Sequence, residues 1–215
     1  MPPSLRRLYE SRLYLITPAN PGAGTLEAFL PKVLDAGVDI VQLREKDMRS
    51  DAMKAPAEIV RRLTHEFGAL FVVNDSVDLA VEFDADGVHL GQEDLPASEA
   101  RQIAGGSFLI GCSTHDPAEI KEAQRSECDY LGVGPLFATP TKPGRAATGL
   151  RLLGDARRLL RKPFFAIGGV GVDNIQQVVA AGADRVAVLR AICDADDPAE
   201  AARILSSHLS APRLG

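Results

Sequence analysis

Ala36-Gly37-Val38-Asp39 and its echo Ala181-Gly182-Ala183-Asp184 are the phrases whose reading decides the fold. Each ends a helical pattern with glycine and leads into a short apolar run, Ile40–Leu43 in one case and Arg185–Leu189 in the other. Working outward, comparable runs stand at Leu13–Ile16, Leu70–Val73, Gly87–Leu90, Phe108–Cys112, Tyr130–Val133 and Phe164–Ile167. Helical patterns fill the intervals, with start signals at Ser50, Asp116 before Pro117, Asp173, and Asp197 before Pro198. Continuous apolar strands alternating with helices indicate a parallel sheet covered by helices, and about eight such units close a barrel. The expectation is an α/β chain forming one (β/α)8 TIM-barrel domain over residues 1–215, with its core at about 13–208. A doubly wound open sheet is the alternative. Pro31 and Pro56 fall inside helical patterns and predict late starts or kinks there, and both chain ends are expected to fray.

The 215 residues, 46% of them hydrophobic, suffice for one substantial core. A balance of 24 Lys and Arg against 29 Asp and Glu argues against a surface for nucleic acid, so cationic chemistry must be local. No apolar run approaches the roughly 18 residues of a membrane span, and Leu13–Ile16 is too short for a secretory signal. Cys112, Cys128 and Cys193 lack the spacing of a zinc site or redox dithiol and suit a reducing cytoplasm.

In a parallel barrel the active site lies where the strands end, and the residues there are consistently polar. Gln42, Arg44 and Lys46 are spaced by two, which places them on one strand face while Val41 and Leu43 face the helices. Charges on an interior face are costly unless answered, and Glu45 points the other way, so an anionic ligand such as phosphate or diphosphate is favoured over an internal ion pair. Asn74-Asp75-Ser76 alone would suit a helix cap, and Asp94 alone a proline turn. Together, Asp75 and Asp94 beside the cations form a candidate magnesium site.

His89 reads as a satisfied interior histidine, and Ser113 as a hydrogen-bond donor to phosphate rather than half of a dyad with His115. The stretch Gly134 to Lys142 has the character of a lid in which Thr139, Thr141 and Lys142 could close over phosphate groups. Gly168-Gly169, after the seventh run, and Arg190, after the eighth, occupy the usual place of a barrel phosphate pocket.

Gln42-Leu43-Arg44-Glu45-Lys46, Asn74-Asp75, Gly87 through Asp94, Gly134-Pro135 with Thr139-Pro140-Thr141-Lys142, and Gly168-Gly169 together resemble the thiamine-phosphate synthase family, in order from about Leu13 to Ile192. The resemblance implies a magnesium-dependent transferase acting on two small molecules, a pyrimidine diphosphate and a thiazole phosphate, with release of diphosphate. By matched position, Gln42, Arg44, Lys46 and Asn74 would bind the pyrimidine diphosphate, with Ser113 and Lys142 completing that half. Asp75 and Asp94 would hold Mg2+, and Thr139, Thr141, Gly169, Leu189 and Arg190 would surround the thiazole phosphate. The family commonly has serine where Arg190 stands, so this arginine either grips phosphate or is structural. Two rival readings are a thiazole tautomerase on the same barrel and a non-catalytic phosphate-ligand binding protein. The retained Asp75, Asp94 and Lys142 argue against the tautomerase.

Overall fold

A computed structural model describes residues 1–45, 50–139 and 146–209. Eight strands, β1 (Leu13–Thr17), β2 (Ile40–Leu43), β3 (Leu70–Asn74), β4 (Gly87–Leu90), β5 (Leu109–Thr114), β6 (Tyr130–Val133), β7 (Phe164–Ile167) and β8 (Val186–Val188), pair in sequence order. All pairings are parallel, and β8 returns to β1 through Leu13 opposite Val186, so the sheet is a closed (β/α)8 barrel and not an open doubly wound sheet. The helices are α1 (Pro3–Glu10), α2 (Leu26–Asp35), α3 (Ser50–Phe67), α4 (Val77–Glu82), α5 (Ala97–Ala104), α6 (Pro117–Arg125), α7 (Arg151–Leu159), α8 (Ile175–Ala180), α9 (Arg190–Cys193) and α10 (Pro198–His208). Among the described residues none is long and apolar enough to cross a membrane.

Strand alternation divides the core in two. Val41, Leu43, Phe71 and Val73 point outward into the cluster shared with the helices, whereas Tyr14, Ile40, Val72, Tyr130 and Phe165 fill the interior. Burying an aliphatic side chain in either layer contributes about 1.5–3 kcal/mol. Leu8 of α1 is fully buried and joins the interior cluster from below, so α1 plugs the barrel, and the last residues expected to fray, 210–215, lie outside the described residues. Arg185 secures this plug by donating to the carbonyls of Tyr9 and Ser11, both at 3.0 Å.

Both glycine phrases close their helices as expected. Gly37 (φ 104°) and Gly182 (φ 109°) take the left-handed turn, and the following residues, Val38 and Ala183, donate back to Val33 and Val178. Asp116 and Asp197 cap α6 and α10 as the sequence predicts. Asp173 does not cap a helix: α8 begins at Ile175, and Asn174 organises the approach by accepting from Gly171 N–H and donating to Gly169 O. Of the proline expectation the late start fails, because α2 and α3 run through Pro31 and Pro56. In α2 the apolar face of Phe29, Leu30, Val33 and Leu34 is buried on the barrel, which offsets the hydrogen bond the proline cannot donate.

At the N-terminal mouth one aspartate device recurs. Asp39, Asp86 and Asp129 each precede an even-numbered strand and accept backbone N–H groups at the start of the strand before it. Asp39 serves two, Arg12 N–H at 2.7 Å and Leu13 N–H at 3.0 Å. Asp39→Ala is therefore expected to cost about 1–3 kcal/mol of stability, read by urea denaturation, because it strands partly buried donors. Asp39→Asn, which keeps an acceptor oxygen, should recover most of that loss.

Candidate active site

The opposite mouth collects the polar strand ends. Gln42 lies inside the barrel, only 2% exposed, as its alternation with Val41 and Leu43 predicts. Arg44 follows two residues later, half-buried at the rim, with its backbone N–H on Thr17 O at 2.9 Å. Glu45 turns away from it and accepts Ala19 N–H at 2.6 Å, and among the described residues no carboxylate forms an ion pair with Arg44. Lys46, Thr141 and Lys142 lie outside the described residues.

Asn74 ends β3 on the interior face, paired in register with His89 of β4. The next two residues divide the work of the turn. Ser76 caps α4 through Leu79 N–H, so capping does not fall to Asp75, whose left-handed backbone (φ 65°) ties its N–H to His89 O at 2.9 Å. Asp94 follows β4 on the neighbouring loop and accepts Gly91 N–H at 2.6 Å. These are two carboxylates on adjacent strand ends. Among the described residues no group of three or more His, Cys, Asp or Glu forms a metal cage. A sparse carboxylate set of this kind suits Mg2+, which retains water and takes further oxygens from substrate phosphate.

Ser113 lies on the interior face of β5, and it ends a run of polar side chains that crosses the barrel. Gln42 Nε2 donates to Tyr14 OH (2.8 Å), Tyr14 OH meets Tyr130 OH (3.0 Å), Tyr130 OH approaches His89 Nδ1 (3.4 Å), and His89 Nε2 meets Ser113 Oγ (3.0 Å). Burial raises both tyrosine pKa values, so both phenols stay protonated. His89 is the satisfied interior histidine that the sequence suggests, but its partners come from β5 and β6. Ser113 and His115 form no dyad, since His115 Nδ1 is 2.7 Å from Glu119 instead. Tyr14 and Tyr130 are the site residues that strand reading passes over. Their interior-facing register was a usable signal, as were the glycines Gly111 and Gly132 on the same face.

The lid segment is rooted firmly at both ends. Leu136 and Phe137 N–H groups donate to Ile167 O and Gly168 O, each at 2.9 Å, while Thr148 returns to Pro135 O through its N–H (2.8 Å) and Oγ1 (3.0 Å). Thr139 stands half-buried beyond this root. The close approach explains the paired glycines: a Cβ on Gly168 would lie 2.4 Å from Pro135 Cα, and one on Gly169 would lie 2.7 Å from Phe137 Cβ. Both also hold positive φ, at 93° and 68°. The Gly169 and Val170 N–H groups have no acceptor among the described residues.

Leu189 and Arg190 follow β8 at the same mouth. Leu189 packs against the interior cluster, and Arg190 opens α9. The Arg190 side chain, 55% exposed, donates through Nε to Asp194 at 2.8 Å. The structure thus gives Arg190 a partner at the C-terminal cap of α9.

Comparison with known proteins agrees with this layout. The family model described as thiamine monophosphate synthase matches residues 13–192. A thiamine-phosphate synthase of Gloeobacter violaceus is 50% identical over 89% of this chain, which spans 55% of that longer relative. One of Mycobacterium bovis is 46% identical over 95% of this chain and 97% of its own. The solved thiamine phosphate pyrophosphorylase of Pyrococcus furiosus superposes with a TM-score of 0.84 at 34% identity, covering 94% of this chain and 96% of that one. A 3-hexulose-6-phosphate synthase, at 20% identity and a TM-score of 0.67, shares the fold alone. With the closed barrel and its polar mouth already in place, these likenesses decide the assignment: the chain belongs to the thiamine monophosphate synthase family and is a transferase of thiamine biosynthesis.

Proposed function

We propose that this mouth binds 4-amino-2-methyl-5-(diphosphooxymethyl)pyrimidine beside 4-methyl-5-(2-phosphooxyethyl)thiazole and joins them into thiamine phosphate. The carrying observation is that Gln42, Asn74 and Ser113 face the interior from β2, β3 and β5, with Arg44 at the rim directly above Gln42. A planar ring can enter between them while its anionic tail meets the cations. The methylene C–O bond breaks with its electron pair leaving on diphosphate. The thiazole ring nitrogen then supplies the pair for the new C–N bond and becomes a thiazolium, so no protein nucleophile and no proton transfer are needed.

Gln42 and Asn74 orient the pyrimidine half. Arg44, Lys46, Ser113 and Lys142 present donors and positive charge to the diphosphate, whose charge grows as the bond breaks; fixed donors of this kind carry much of an enzyme's rate enhancement. Asp75 and Asp94 would hold Mg2+. When bound, the ion neutralises diphosphate oxygens and stabilises the leaving group. Thr139, Thr141, Gly169, Leu189 and the N–H groups after β7 surround the thiazole phosphate, and holding both reactants in line supplies the remaining advantage. Arg190, bonded to Asp194 through Nε, can offer its Nη groups there. The free thiols Cys112, Cys128 and Cys193 suit a cytoplasmic setting.

The direct test mixes purified protein with both phosphorylated precursors and Mg2+ and follows diphosphate and thiamine phosphate. Appearance of both separates a synthase from a tautomerase and from a passive binder. Arg44→Ala is expected to lower turnover by at least about a hundredfold while leaving the thermal midpoint near wild type, by analogy with lost transition-state donors. Undiminished turnover would remove Arg44 from the reaction. Asp75→Asn combined with Asp94→Asn should abolish Mg2+-dependent product formation, because the hard cation prefers carboxylate oxygen. Product formed by wild type in excess chelator would refute the metal role.

A further inference from the structure

The polar run across the barrel has a direction, and the direction reaches Ser113. An amide NH2 group can only donate, so Tyr14 oxygen accepts from Gln42; the buried Tyr14 proton then has Tyr130 oxygen within reach as its acceptor, and the reverse order would leave that proton unused. Tyr130, having accepted from Tyr14, has His89 Nδ1 at 3.4 Å to receive its own proton. A neutral imidazole that accepts at Nδ1 carries its proton on Nε2, and that proton goes to Ser113 Oγ at 3.0 Å. Ser113, having accepted, keeps its hydroxyl proton for a partner outside the run. Were the order reversed, Ser113 would spend that proton on His89 and offer a ligand only lone pairs.

Space for this contact is built into the interior. A Cβ on Gly111 would lie 2.5 Å from Tyr130 OH and 2.6 Å from His89 Nδ1, and one on Gly132 would lie 3.5 Å from His89 Nε2. A side chain at Gly111 would displace Tyr130 and the imidazole, whereas one at Gly132 would press on the imidazole edge only at Cε1, 3.3 Å away. Tyr130 is further held by edge-on packing against Phe165, with ring centroids 5.8 Å apart. The hydroxyl of Tyr130 and the ring of His89 therefore have little freedom to reorient.

We propose that His89, held as its Nε2–H tautomer by Tyr130, is a positioning residue that turns the Ser113 hydroxyl proton toward a phosphate oxygen of the diphosphate group. This rests on the reading of Ser113 as a diphosphate donor. A hydroxyl preset to donate gains most from an acceptor whose negative charge is increasing, so its contribution is weighted toward the leaving diphosphate. The same run begins at Gln42, where ring recognition is placed, so one set of hydrogen bonds serves both ends of the pyrimidine diphosphate.

The test has a spectroscopic arm and a binding arm. In ligand-free protein with 15N-labelled histidine, His89 resonances are assigned by their loss in His89→Gln, and a protonated Nε2 with an unprotonated Nδ1 is expected. A protonated Nδ1 would overturn the direction of the run, whatever reaction the protein catalyses. Affinity for inorganic diphosphate with Mg2+ is then measured by calorimetry. Tyr130→Phe and Ser113→Ala should each weaken it about tenfold, the worth of one hydrogen bond to a charged group, and the double variant no further. Additive losses, or an unaffected Tyr130→Phe, would overturn the proposal. His89→Gln, whose Nε2 can still donate to Ser113, should bind diphosphate about as wild type does, whereas His89→Leu should resemble Ser113→Ala; equal losses in both would also overturn it. This pair remains informative if Tyr130→Phe fails to fold. Absence of product in wild type with these binding results intact would defeat the synthase reading and leave the positioning role standing.

Discussion

A barrel of eight parallel strands closes around a space too narrow for bulk water, so each polar side chain pointing inward must find its partner from another strand. Gln42, Tyr14, Tyr130, His89 and Ser113 meet that requirement together, drawing on β2, β1, β6, β4 and β5. No buried side-chain nitrogen or oxygen among the described residues is left without a hydrogen-bond partner. The partnership has a functional consequence. It fixes Gln42 and Ser113, two of the residues that face the proposed pyrimidine diphosphate, relative to one another through groups that cannot easily rotate.

The two mouths of the barrel divide stability from chemistry. At the N-terminal mouth, aspartates bond to strand starts, Leu8 seals the interior, and Arg185 holds α1 by its last carbonyls. At the C-terminal mouth the chain accepts costs that a purely structural end would avoid. Arg44 stands half-buried without a carboxylate among the described residues, Asp75 adopts a left-handed backbone that most residues resist, and Gly168 and Gly169 surrender side chains to let the β6 loop approach.

Arg190 has two readings that position alone does not separate. It stands where barrels bind phosphate, yet its guanidinium is engaged by Asp194 one helical turn away. An i, i+4 pair at the surface contributes only a few tenths of a kcal/mol. A phosphate could be met by the Nη groups while this weak tie through Nε persists.

The sequence by itself determined the barrel. Apolar runs, glycine helix ends and acidic caps are local devices, and each strand appeared within two residues of where its run predicted. The period of two likewise put Gln42 inside and Val41 and Leu43 outside, because face alternation is a property of the extended backbone. Local reading missed by a residue or two where neighbouring rules competed: packing carried α2 through Pro31 without a late start, and Asn174, bonded back to Gly171 N–H and Gly169 O, stands before α8 where Asp173 is expected. Only the tertiary structure decided which interior groups touch. Tyr14 and Tyr130 are 116 positions apart and His89 and Ser113 are 24 apart, so no spacing within one segment announces either contact. Closing the sheet brings them within hydrogen-bonding distance.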